Sequence, residues 1–215
     1  MNVILVHGFL NRGGILRGLT AHLTAAGHSC FAPSLKPCDA RCGLPVLARQ
    51  LDRAIVAALP ENPRFAIVGF SMGALIARYY MQELGGHRRT DAFFSIGGPH
   101  AGTISAYAYP SEGAHQMRPG SDFLARLDRT ADRLGGFPIT CYWSPYDVMI
   151  RPLASARWRR AEHVRVPALL HSLMAFDRRL YRDIEQRLSL IQPDHSPEPA
   201  PASVTSPAGR EPRQP

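Results

Sequence analysis

Lysine is almost missing from this 215-residue chain: Lys36 stands alone, and arginine carries nearly all of a formal net charge of +8. The arginines come in scattered pairs, such as Arg88-Arg89, Arg159-Arg160 and Arg178-Arg179, with no basic stripe interleaved with aromatics. No nucleic-acid module is recognisable, and no nucleic-acid partner is expected. Also absent is any apolar run approaching the roughly 18 residues of a membrane helix, so nothing is expected to span a bilayer. Met1-Asn2 leads straight into VILV and His7 without an export signal, which predicts a cytoplasmic location. Cysteine is scarce, and Cys30, Cys38, Cys42 and Cys141 match no zinc spacing. With no ligand cluster for zinc or calcium either, neither metal nor organic cofactor is expected. Nothing in the sequence speaks to oligomeric state.

What is present reads as one domain of alternating strands and helices. Residues 2–6, a continuous apolar run, and residues 29–32, 65–70, 92–96, 139–143 and 163–166 read as strands. Helical spacing appears at residues 14–26, in LPVLARQLDRAIVAAL, at 72–84, near 122–134 and at 172–190. Helices between apolar strands imply an α/β fold with about six strands in a mainly parallel sheet, covered on both faces. From residue 193 on the character changes: seven of the nineteen prolines fall there, with no aromatic residue. Such a stretch cannot bury enough apolar surface to offset its ordering entropy. The expected division is a catalytic domain over residues 1–191 and a disordered tail over 192–215.

The stretch VGFSMGALIARYY, residues 68–80, asks why a strand should end on Ser71 between Gly69 and Gly73. Gly-x-Ser-x-Gly alone is a weak signal, since a serine capping a helix beside two turn glycines would look similar. Context strengthens it: an apolar strand precedes it, and a helical pattern rich in small residues follows at once. A sharp strand-to-helix turn strains the serine backbone and tolerates only small neighbours. It also leaves the hydroxyl above the sheet near a helix N-terminus, where negative charge is favoured. A cap would need neither glycine, so Ser71 is read as a nucleophile.

A serine hydroxyl needs a base and an acid that orients the base. After the strand at 139–143 comes Ser-Pro-Tyr-Asp147, a turn that presents one carboxylate just past a strand end. HVRVPALLH then puts His171 after the next strand, in the order serine, acid, histidine. His100 and His115, in the loop after the strand at 92–96, are the rival bases. An oxyanion would be held by two backbone N–H groups, from Met72 after the nucleophile and from Phe9 in the early loop VHGFLNRGG. Gly8 lets that loop approach substrate, while His7 is expected to brace it by hydrogen bonds.

Taken together VILVHGF, VGFSMGALIARYY, SIGGPHAGT, QMRPGSDFL, SPYDVMIRP and HVRVPALLH resemble the bacterial α/β-hydrolase lipases and esterases, including the GPI inositol-deacylase-like branch. The resemblance covers most of residues 2–171. It implies the compact α/β-hydrolase fold without a large cap domain, the triad Ser71, Asp147 and His171, and the oxyanion donors Phe9 and Met72. Two positions depart from the usual elbow: Phe70 stands where histidine is common, and Ala74 where another glycine is. The implied activity is hydrolysis of carboxylic esters through an acyl-enzyme, with a small-molecule ester or lipid as substrate.

The stretch GTISAYAYPSEGAHQMRPG carries no amphipathic helical run and is too short for a hinged lid. An open cleft for short to medium acyl esters is expected, with Leu10, Tyr107, Tyr109 and Met117 as substrate-binding residues. A thioesterase or acyltransferase of the same fold is the nearest alternative, and a non-catalytic binding protein a further one. A third reading, a basic protein of nucleic-acid or membrane surfaces, rests on charge alone.

Overall fold

The computed structural model describes residues 1–61 and 63–191, so the expected tail lies outside the described residues. Six strands form one sheet: β1 Asn2–Val6, β2 Ser29–Phe31, β3 Phe65–Phe70, β4 Thr90–Ile96, β5 Ile139–Trp143 and β6 Glu162–Arg165. Their order is β2-β1-β3-β4-β5-β6, and every neighbouring pair is parallel. Parallel neighbours need crossovers, which come from α1 Arg17–Ala25, α2 Leu44–Ala58, α3 Met72–Glu83 and α5 Asp122–Arg129; α4 Glu112–Gln116 lies in the β4–β5 connection and α6 Arg178–Ser189 closes the domain.

Period-two alternation sorts the strand side chains between two cores. Ile4, Val6, Phe65, Ile67 and Phe93 pack under α2, α3 and α5. Val3, Leu5, Ala66, Val68, Phe70 and Phe94 pack on the opposite face, against α1 and α6. All six residues of β3 are buried, as a central strand covered on both faces requires.

Four expected elements differ in detail: the run at 14–26 opens as a 3-10 turn Gly13–Leu16 before α1, and three others change as follows. The run at 172–190 is two pieces: a 3-10 segment His171–Phe176, then α6. Asp177 separates them by accepting a hydrogen bond from the Arg179 N–H at 2.8 Å, a polar cap that starts a new helix and overrides the continuous periodicity. The helix expected near 122–134 likewise ends at Arg129, with a 3-10 turn Ala131–Leu134 after it. The loop expected to lack helix holds a 3-10 turn Ile104–Ala108 and the five-residue α4, each with a hydroxyl cap, Thr103 and Ser111. α4 is pinned from outside, since Gly113 N–H donates to Ala40 O at 2.9 Å and Leu44 N–H to Gln116 Oε1 at 2.7 Å.

Candidate active site

β3 ends at Phe70, and α3 begins at Met72 with no spacer. Ser71 between them has φ 55° and ψ −123°, a left-handed conformation that costs a non-glycine residue about 1–3 kcal/mol. The surroundings enforce it. Ser71 N–H donates to Ile96 O at 2.8 Å, and a Cβ on Gly73 would collide with the Val6 carbonyl oxygen. The Ser71 side chain caps nothing at the head of α3, which removes the helix-cap reading of the motif.

Asp147 follows β5 and is 1% exposed. Its Oδ1 accepts from the Met149 and Ile150 N–H groups at 2.8 and 3.1 Å, and its Oδ2 from His171 Nδ1 at 2.7 Å. Burial alone would raise this carboxyl, but the His171 hydrogen bond and the two amides outweigh it and hold it below the ordinary carboxylate value. Ser144 Oγ donates to Ala168 O at 2.7 Å, tying the loop of the acid to the loop of the base.

With Nδ1–H committed to Asp147, the neutral His171 ring carries its lone pair on Nε2. That atom is buried and has no protein hydrogen-bond partner among the described residues. The ring itself is wedged. Phe70 stacks on it with centroids 5.1 Å apart, and Gly97, at φ +57°, faces it so closely that a Cβ would come within 2.9 Å of Cε1. Phe70 is one of the two departures noted in the sequence, and no sequence motif assigns it this place.

Ser71 and His171 line one cleft of about 360 Å3 together with Phe9, Leu10, Tyr109 and Met117. Phe9 and Tyr109 meet edge to face at 4.9 Å. Tyr107 does not join them, contrary to expectation. It lies outside the cleft, 60% exposed, with the Arg118 guanidinium 4.7 Å over its ring. Tyr107 lies inside the 3-10 turn Ile104–Ala108 and Tyr109 just past its end, a distinction that residue type could not make. Val148, Met149, Ile150 and Leu170 complete the apolar wall. They sit beside the acid and the base in sequence, which was the available clue.

The Met72 side chain is buried in the core, so only its amide, at the first position of α3, is a candidate for chemistry. Neither the Phe9 nor the Met72 N–H donates to a protein acceptor among the described residues. His7 has the expected bracing role: Nδ1 hydrogen-bonds Gly8 O and Nε2 accepts from Leu35 N–H, both at 2.9 Å. Of the rival bases, His100 is 2% exposed, bonded to Ser95 Oγ at 2.8 Å and stacked on Trp158, and His115 is exposed on α4; neither lines the cleft.

Burial pushes His7 below the ordinary imidazole value of 6.5 and His100 well below it. Bases depressed in the folded state take up protons first in the unfolded chain, so stability is full above about pH 6.5 and falls beneath it. Each contributes at most about 1.4 kcal/mol per pH unit in that range. Urea midpoints should therefore drop between about pH 7 and pH 5. A midpoint that stayed level would contradict neutral burial.

Among solved structures, the chain is similar to Aspergillus fumigatus lipase B, with TM-score 0.72 and 16% identity over 89% of this chain and 53% of that one. It thus spans about half the length of that lipase. Bacillus licheniformis lipase BlEst2 in mature form aligns with TM-score 0.68 and 13% identity over 87% of this chain and 91% of that one. A pyrethroid hydrolase from Sphingobium faniae aligns with TM-score 0.60 and 16% identity over 88% and 98%. At these identities the likeness is one of fold. No curated protein sequence matches. The sequence pattern of the palmitoyl protein thioesterase family matches residues 3–135, a span that holds the Gly8-Phe9 loop and Ser71 and stops short of Asp147 and His171. That span is more than half of the chain, and on it the protein belongs to the palmitoyl protein thioesterase family, built on the α/β-hydrolase fold of lipases and esterases.

Proposed function

We propose that the protein is a serine hydrolase of acyl esters, with residues 1–191 as its catalytic domain. The observation that carries this reading is Ser71, held in a strained turn with its hydroxyl committed to no cap, in one cleft with a histidine whose Nδ1–H is bound by a buried carboxylate. His171 Nε2 takes the proton of Ser71 as its Oγ attacks the acyl carbonyl, and Asp147 stabilises the imidazolium that forms. The Phe9 and Met72 amides receive the oxyanion. His171 returns the proton to the leaving group, and water repeats both steps to release the acid and free Ser71. No step calls for a cofactor.

The apolar wall of the cleft suits short to medium acyl chains, with the leaving group toward solvent. Family membership favours a second reading, in which the leaving group is a thiol and the substrate a thioester. The same residues serve both, because the acyl-enzyme is identical once the leaving group has gone. A fluorophosphonate probe should phosphonylate Ser71 in the wild type, with fluoride as the leaving group, and leave Ser71→Ala unlabelled. Labelling at another serine, or none, would sink the proposal. Paired oxygen esters and thioesters of equal acyl length then separate the two substrate classes by kcat/KM.

A further inference from the structure

The large apolar side chains left in solvent are not spread over the surface. Among the described residues all but Val56 and Leu190 stand on loops that follow the carboxyl ends of strands, the side on which the cleft opens. Leu10 follows β1, Ile104 follows β4, Val148 follows β5, and Leu169, Leu173 and Phe176 follow β6, at 45 to 69% exposure. Single exposed apolar residues need no explanation, whereas a concentration of them around one opening does.

Basic side chains outnumber acidic ones on these loops. Arg12, Arg151 and Arg157 are exposed and form no ion pair among the described residues. Of the acids nearby, Asp147 is bound by His171 and Asp177 by Arg179, whereas Glu112 accepts only a neutral hydrogen bond from Gln116 and keeps its charge. Apolar and basic groups also share ground, since Leu10 and Phe176 line a shallow depression with Arg12 and Arg17.

We infer that this face docks on a lipid surface bearing anionic headgroups. The aliphatic side chains enter the interfacial region and the arginines lie at phosphate level. Docking by loop side chains of this kind is peripheral, and no helix of the described residues is long and apolar enough to cross a membrane. Eight Leu, Ile, Val, Met and Phe side chains stand there beside two tyrosines, Tyr107 and Tyr146, a mixture that suits a bilayer interface, where aliphatic groups enter and tyrosine sits at headgroup level. An acyl chain would then slide from bilayer to cleft without crossing bulk water. Docking itself needs no reaction, so it stands apart from the hydrolytic reading.

The test is co-sedimentation of the full chain with phosphatidylcholine vesicles and with mixed phosphatidylcholine–phosphatidylglycerol vesicles. The wild type should partition at least about tenfold better onto the mixed vesicles and lose that advantage in high salt. The pair Leu169→Ser and Leu173→Ser, outside the cleft, should weaken binding to mixed vesicles by about tenfold or more. Arg12→Glu with Arg157→Glu should abolish the preference for anionic lipid. Unchanged thermal midpoints establish that both variants fold. Three results would overturn the inference: a wild type that stays in solution with both vesicles, leucine variants that bind like the wild type, or a wild-type dimer that those variants turn into monomers.

Discussion

Alanine at Ser71 or at His171 should each lower kcat for ester hydrolysis by about 10⁴–10⁶, and the double variant should lose little more. The two side chains act as one unit: without the base the hydroxyl is a poor nucleophile, and without the hydroxyl the base has nothing to activate. Asp147→Asn keeps the volume of the acid but removes the charge that sets the His171 tautomer, so it should cost about 10⁴, the lower end of that range. His100→Ala is the informative control. That ring is bonded to Ser95 and stacked on Trp158, so its removal should cost stability and leave turnover nearly intact. An inactive His100→Ala beside a working His171→Ala would reverse the assignment.

The second large effect is expected at Phe9. Proline there removes one N–H donor, and because Gly8 precedes it the backbone restriction that proline places on its neighbour is tolerated. Turnover should fall about 10²–10³-fold, equivalent to roughly 3–4 kcal/mol of transition-state stabilisation. Phe9→Ala separates the amide from the ring, since it keeps the donor and deletes only the edge contact with Tyr109. It should change KM more than kcat. If alanine and proline were equally damaging, the ring rather than the amide would be what position 9 supplies.

Much of this was legible in the sequence because the informative positions lie where local chemistry and topology coincide. A continuous apolar strand followed at once by Gly-x-Ser-x-Gly has few backbone solutions, and the structure adopts a strained one at Ser71. Asp147 and His171 were found by chain order and by their place after strands, and the structure joins them at 2.7 Å. What stayed hidden depends on direction rather than on residue type. Tyr107 and Tyr109 are two positions apart in one short segment, yet only Tyr109 lines the cleft. Phe70 reads as one more strand residue until the loop after β6 folds back and lays His171 against it. The break at Asp177 was masked for another reason: periodicity records which side of a helix is apolar and is blind to an interruption that keeps the phase.

The turn at Ser71 has a consequence for anyone engineering this scaffold. The sheet and the head of α3 hold a left-handed serine in place, and glycine would occupy the same backbone without strain. Heat resistance and turnover therefore pull this position in opposite directions. A library sorted by survival at high temperature, with no catalytic screen beside it, would drift toward Ser71→Gly and accumulate robust proteins with nothing left to attack a carbonyl.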